Sequence, residues 1–366
     1  MGLIEQAIQF LSSIDEYWIQ AIALVVKFVV VLLISLHVPP LMVWAERRAP
    51  AMMQRRKGPN RVGLFKWRLF GLMQPLADTV KLIFKEEVVP DKAHKFFFHL
   101  APVFSVFPAL LIVTAIPFGH DMTIGPYTFS MSITKLDVGF LFILALSSIG
   151  VYGIALAGWA SNNKYSLLGG LRSSAQMISY EIPMGMSLIP MVLIYGTFDL
   201  NDIVLQQANL WGVFLAPLSF VLFLVCMFAE TNRAPFDLAE GESEIVGGYL
   251  TEYGTFKFSA FFLAEYVAMF VLSCLASTFF FGGWQIPFVS YDMLVQLTGF
   301  SFIASLIGMV VLLIKAAFFM WLFVWVRWTL PRFRYDQLMG LGWKFLMPVA
   351  LANIVITAAV LVMLPQ

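Results

Sequence analysis

The chain has 366 residues, 60% of them apolar and only 12% charged, with a formal net charge of +1 and a mean hydropathy of +0.84. So few charged groups cannot clothe a water-soluble protein of this length, and a balance near zero offers no broad basic surface for nucleic acid. The composition is that of a protein whose solvent is largely lipid.

The chain opens with Glu5, Asp15 and Glu16 where a cleaved signal would be basic, and the apolar run that follows is long enough to span, so no secretory leader is expected. A spanning helix needs about 20 mostly apolar residues. Stretches that qualify fall at 20–44, 97–117, 138–159, 174–196, 211–230, 258–281, 300–327 and 341–364. The expected fold is therefore an all-α integral membrane protein of about eight transmembrane helices. No internal repeat or linker interrupts it. Residues 1–366 read as a single membrane domain, with a first cytoplasmic loop over 45–96 and an acidic cytoplasmic loop over 230–257.

Lys27, early in the first span, is expected to snorkel to the nearer surface. The first loop gathers Arg47, Arg48, Arg55, Arg56, Lys57, Arg61, Lys66, Arg68, Lys81, Lys85, Lys92 and Lys95. Within it, Leu72, Leu76, Val80, Ile83 and Phe84 recur at helical spacing, while Asp78, Lys81 and Lys85 share the other face. That predicts an amphipathic helix over 71–86, too short and too charged to span, lying along the interface. Its cations can anchor the chain to anionic headgroups, or stabilise an anionic or electron-rich ligand head whose tail stays in lipid. The pattern fits both.

Further along, Lys164, Arg172, Arg233, Lys257, Arg327, Arg332, Arg334 and Lys344 fall in the odd loops or at their edges, whereas the even loops carry only Lys135. The positive-inside rule then places the odd loops in the cytoplasm and both termini on the opposite side. A carboxylate inside a span costs about 3 kcal/mol and by default marks a functional position. Glu181 lies in the fourth span, ahead of the kinking Pro183 and Pro190, and Glu265 lies in the sixth. Lys315, central in the seventh, is expected to pair with a carboxylate, Glu265 and Glu181 being the candidates. The fifth loop places Glu230, Asp237, Glu240, Glu242, Glu244 and Glu252 close together, interleaved with Phe236, Leu238, Ile245 and Val246. Clustered acids raise one another's proton affinity. With Glu181 and Glu265 they form a candidate proton path into the membrane. Cys226 and Cys274 sit singly in apolar runs, and His37, His94, His99 and His120 are scattered, so this chain is expected to bind no redox cofactor of its own.

Several long motifs resemble one family. They are Glu46-Arg-Arg, Gln54-Arg-Arg-Lys-Gly-Pro-Asn-Arg61-Val-Gly63, Gln74-Pro-Leu-Ala-Asp78, Gly158-Trp-Ala-Ser-Asn162, Ile178-Ser-Tyr-Glu181, Ala229-Glu-Thr-Asn-Arg-Ala-Pro-Phe-Asp-Leu-Ala-Glu-Gly-Glu-Ser-Glu244, Ala264-Glu-Tyr266 and Pro331-Arg-Phe-Arg-Tyr-Asp-Gln337. The family is the H subunit of the proton-pumping NADH–quinone oxidoreductase, respiratory complex I, with its counterpart, mitochondrial NADH dehydrogenase subunit 1. The resemblance implies a membrane subunit that forms much of a quinone chamber at the junction with the hydrophilic arm, and that carries no catalysis alone. It implies that Glu46, Arg47, Arg55, Asp78, Lys81 and Arg233 line or support the chamber. It likewise implies that Glu181, Glu230, Asp237, Glu240, Glu242, Glu244 and Glu265 couple it to proton translocation. Arg327, Arg332, Arg334 and Asp336 would support the same cytoplasmic side. Quinone would be a substrate, with NADH, FMN and iron–sulfur clusters held by partner subunits. The implied partners are the hydrophilic-arm subunits that carry the terminal cluster and quinone pocket, and the other membrane-arm pump subunits. The implied location is a bacterial, or mitochondrial, inner membrane.

Two departures from the family stand out. Residues 64–70 insert Leu-Phe-Lys-Trp-Arg-Leu-Phe, and Ser147-Ser148 stands where some members carry a glutamate in the third span. Two other readings compete. One is a membrane anchor of a related hydrogenase or ferredoxin-dependent complex. The other is a stand-alone transporter, against which the lack of an inverted repeat weighs.

Overall fold

The computed structural model describes residues 16–63, 69–124, 127–238, 241 and 245–363. Helices dominate, as the hydropathy requires. In chain order they are α1 Glu16–Met53, α2 Met73–Phe84, α3 Lys95–Val113, α4 Gly139–Ala160, α5 Lys164–Tyr195, α6 Leu200–Gln206, α7 Gly212–Leu215, α8 Pro217–Glu230, α9 Thr255–Phe280, α10 Tyr291–Thr298, α11 Ser301–Thr329, α12 Tyr335–Gly340 and α13 Met347–Met363. A π-helical stretch, Leu341–Leu346, joins α12 to α13. The sheet structure among the described residues is a short antiparallel hairpin, β1 Met122–Ile124 against β2 Tyr127–Phe129, in the connection after α3.

Seven helical runs are long and apolar enough to cross a membrane: α1, α3, α4, α5, α9, α11 and the continuous run from α12 through α13. The eighth expected stretch, 211–230, is shorter and broken, with only the 14 residues of α8 continuous. Pro217 has no N–H to carry the helical ladder and disfavours helical backbone at the residue before it. Ala216 accordingly takes φ −137°, ψ 67°. Two helices outrun their apolar stretches. α1 continues through Pro50 to Met53, so Glu46 and Arg47 sit on a helix where a loop was expected from residue 45. α5 starts at Lys164 instead of 174, its first turns built from buried Ser166, Ser173, Ser174 and Gln176. Hydropathy marks where lipid ends, and helical hydrogen bonding does not have to stop there.

The core runs between α3, α4, α5, α8, α9 and α11, around Phe140, Tyr180, Phe223, Phe270, Phe279, Phe280 and Phe323. α9 lies at its centre: 61% of its most apolar stretch is buried, against 17% for α1 and 17% for Tyr335–Met363. The outer faces of α1 and α13 therefore present apolar side chains to lipid or to neighbouring chains. α2 forms close to where its pattern predicts, but Leu76, Val80, Ile83 and Phe84 remain exposed in the single chain. An unpartnered apolar stripe of that kind belongs at an interface. Of the inserted segment ahead of α2, residues 64–68 lie outside the described residues.

Candidate functional site: a buried charge cluster

Glu46 stands near the C-terminal end of α1 and is almost fully buried. Three donors reach its carboxylate. Arg233 Nη1 donates to Oε1 at 2.8 Å, Arg327 Nη1 to Oε2 at 2.8 Å and Tyr266 Oη to Oε2 at 2.8 Å. Arg233 also forms an ion pair with Glu265 through Nε, and its guanidinium lies over the Tyr266 ring, 4.3 Å from the centroid. The cluster thus sets Glu46 and Glu265 against Arg233 and Arg327. Its charge balances, as burial demands. Arg233 is the residue most enclosed. Burial opposes its charge, but Glu265 and Glu46 outweigh that effect and hold its pKa above even the usual arginine value. It therefore stays cationic throughout turnover, and any titration in the cluster falls on its partners.

The polar start of α5 positions Arg233. Gln176 Nε2 donates to the carbonyls of Ala229 and Phe236, each at 2.8 Å, and Asn232 Nδ2 donates to Ser173 Oγ at 3.0 Å. These bonds pin the turn after α8 on both sides of Arg233. Asn232 takes φ +49°, a conformation asparagine tolerates better than most residues. Behind the turn, Phe236, Leu238 and Ile245 are buried, so the start of the acidic loop packs into the bundle, contrary to an ordinary solvated charge run.

A cavity of about 100 Å³ opens beneath the cluster, between α3, α4, α5, α8 and α9. Its walls are mainly apolar, with Glu230, Glu265, Asn232 and Ser147 the polar members. Glu230 is buried and its Oε2 has no protein partner. A space of this size with a few polar groups admits water. Past Ser147 lies Glu181, whose Oε1 accepts from the hydroxyls of both Ser147, at 3.0 Å, and Ser148. The Ser147-Ser148 pair therefore meets the intramembrane acid directly.

Other candidates sit further out. Arg47 pairs with Asp78 at 2.6 Å, tying α1 to α2, and Gln74 Nε2 donates to the same carboxylate at 3.1 Å. Arg55 and Lys81 are exposed and do not join the cluster. Arg332 pairs with Asp237 at 2.9 Å. Arg334 pairs with Asp336 at 2.7 Å on the exposed surface, and the hydrogen bond from Arg334 holds the Asp336 carboxyl below its usual pKa. Glu240, Glu242 and Glu244 lie outside the described residues. Among the described residues, no group of three or more His, Cys, Asp or Glu side chains could hold a metal ion.

The expected carboxylate partner of Lys315 is not what the structure contains. Lys315 Nζ donates to the backbone carbonyls of Phe281, Gly283 and Gln285 at 2.7, 2.8 and 2.7 Å, and lies over the Trp211 ring. These carbonyls follow the C-terminal end of α9, where a helix is partially negative. Tyr266 belongs to the cluster but escapes a search for ionisable groups. Its signal was its place beside Glu265.

A family model described as NADH dehydrogenase matches residues 25–358. The chain is 45% identical over 370 residues to a protein of Bdellovibrio bacteriovorus, covering 92% of this chain and 95% of that one. It is 47% identical over 327 residues to one of Cytophaga hutchinsonii, covering 89% and 93%. Against a protein of Protochlamydia amoebophila it is 49% identical over 317 residues, covering 87% and 91%. Each of these relatives is named as the H subunit of an NADH-quinone oxidoreductase, the Cytophaga hutchinsonii protein as the first of its kind.

Proposed function

Because the chain belongs to the NADH dehydrogenase family, among the H subunits of NADH-quinone oxidoreductase, we propose that it forms the quinone chamber of that complex and couples quinone reduction to proton movement. The supporting observation is the convergence of Glu46, Arg233, Glu265, Tyr266 and Arg327 at one end of the bundle, above a cavity that continues to Glu230 and Ser147. Reducing a quinone near this end consumes protons and places negative charge beside fixed guanidinium groups. Arg233 and Arg327 stabilise that charge, and Glu46 and Glu265, which share those cations, gain proton affinity as the charge arrives. Water in the cavity passes the change to Glu230 and, by way of Ser147, to Glu181. Arg47, Arg55, Asp78 and Lys81 line the approach along α1 and α2. Asp237, Glu240, Glu242 and Glu244 supply the proton-accepting rim, and Arg332, Arg334 and Asp336 brace it.

In this reading NADH, FMN and the iron–sulfur clusters reside in partner subunits, and the chain performs no catalysis alone. The hydrophilic arm docks over the cytoplasmic end of the bundle, and the other pump subunits flank the apolar faces. The protein is multi-pass in a bacterial inner membrane, both termini opposite the cytoplasm. The test is Glu46→Gln in the assembled complex. NADH:quinone activity is expected to fall by about a hundredfold, the scale of removing one preorganised charge partner from a buried site. NADH oxidation by a soluble artificial acceptor should persist. Full quinone activity in the variant would overturn the reading.

A further inference from the structure

At the end of the bundle remote from Glu46, an open groove of about 510 Å³ separates the early turns of α1 from the hairpin that follows α3. Its lining joins apolar Ala23, Leu24 and Phe129 to Lys27, Lys135 and Ser130. We propose that this groove binds an anionic phospholipid, its phosphate between Lys27 and Lys135 and an acyl chain along α1.

Charge distribution is the first argument. Lys135 is the one cation of the even loops, and Lys27 is the one cation in the apolar part of α1. Although 108 positions apart in sequence (135 − 27), they line the same groove. Lys135 is paired with Asp121 at 2.7 Å, which lines the groove too. Two cations against one carboxylate leave a single positive charge, matched by one phosphodiester. Asp199 lies in a separate pocket that also includes Lys135.

Lys27 is the second argument. Its ammonium carries three donors, and the hydrogen bond it makes to the carbonyl of Ser132 is a long one, at 3.4 Å. A lysine on a lipid-facing helix is costly without a counter-charge. Ser130, whose hydroxyl is 2.8 Å from that of Ser132, offers a further donor at the same wall.

Shape is the third. A free phosphate ion would leave the apolar wall at Ala23, Leu24 and Phe129 in contact with water. An amphiphile covers it. Exposed Leu24, Val25, Phe28 and Val29 continue α1's apolar surface away from the lysines, as an acyl chain needs. The groove opens beside a face of α1 that the chain itself leaves uncovered, so lipid is the source within reach.

The experiment uses the intact detergent-purified complex and a photoreactive anionic phospholipid with the reactive group on its acyl chain. Labelling is expected on peptides covering 18–31 and 127–138. Unlabelled phosphatidylglycerol should compete it away, while phosphatidylcholine competes weakly and inorganic phosphate not at all. In Lys27→Gln and Lys135→Gln, each lysine removed should weaken labelling about fivefold, whereas Lys344→Gln leaves it intact. Three outcomes overturn the proposal: equal competition by phosphatidylcholine, displacement by inorganic phosphate, or labelling only of a neighbouring subunit seated on the groove. The competition series needs no variant, so it remains decisive if the double lysine variant does not assemble.

Discussion

Lys315 and Glu181 are both ionisable groups within spanning helices, and the chain compensates them in different ways. Lys315 is satisfied by three backbone carbonyls and an indole ring, with no carboxylate involved. Replacing it with methionine keeps the volume but leaves those acceptors without their donor, which should cost about 3 kcal/mol. The expected result for Lys315→Met is a clear fall in the thermal midpoint of the purified complex, with quinone reduction at low temperature unchanged. Glu181 is held by two serine hydroxyls, neutral donors that support a carboxylate without fixing it in an ion pair. Combining Ser147→Ala with Ser148→Ala should therefore lower proton translocation by about tenfold, the worth of one hydrogen bond to a charged group. Electron transfer to quinone should stay above that loss, and the two rates measured in proteoliposomes test it. None of this was legible in the residue types alone. A carbonyl acceptor is created by where a helix ends, and a lysine's sequence neighbours say nothing about that.

Among the elements, α5 links the fold to the candidate site. Its first turns are polar and small because they lie against other backbone instead of lipid. At Gly169 a Cβ would come within 2.5 Å of the Cα of Gly248 and within 2.7 Å of the Tyr249 nitrogen. Both obstacles are backbone, so no side chain can rotate away. Gly169→Ala should separate α5 from the turn at Gly248–Leu250 and cost about 1–3 kcal/mol, the range for an overpacked contact. The expected readout is less subunit in assembled membranes and faster proteolysis of the 245–255 segment. Element types and the amphipathic α2 could be read from periodicity, since both depend on local spacing. The lengths of α1 and α5 could not, because each leaves the lipid while still hydrogen-bonding as a helix. The break at Ala216 was announced by Pro217, but a hydropathy window averages across it.

At the scale of the whole molecule, the Glu46 cluster draws on α1, the turn after α8, α9 and α11. Its hydrogen bonds span 187, 220 and 281 residues of sequence. Its acids and arginines were identifiable as expensive charges, but their mutual pairing depends on helix packing that no local pattern encodes. Because the balance is shared, removing one member strands the others. Arg233→Ala should cost about 3–5 kcal/mol, as loss of one partner of a buried pair does. Arg233→Ala is therefore expected to reduce the amount of assembled complex, seen on native gels, more severely than Glu46→Gln. The exposed faces of α1 and α13 point the same way: the chain is finished by its neighbours. Purified alone in liposomes, it should neither reduce quinone with NADH nor carry protons, and proton flux from the lone chain would favour a transporter instead.

The 38 residues of α1 make a rod about 57 Å long, nearly double a hydrocarbon layer of about 30 Å. Such a rod is a yardstick as well as a wall. Its far end stands clear of the acyl chains, so an amphiphile meeting Glu46 has lifted its head out of the oil while its tail still trails in it. Tail length then becomes a selection criterion: a molecule shorter than that climb has to give up its oily surroundings completely before it can react.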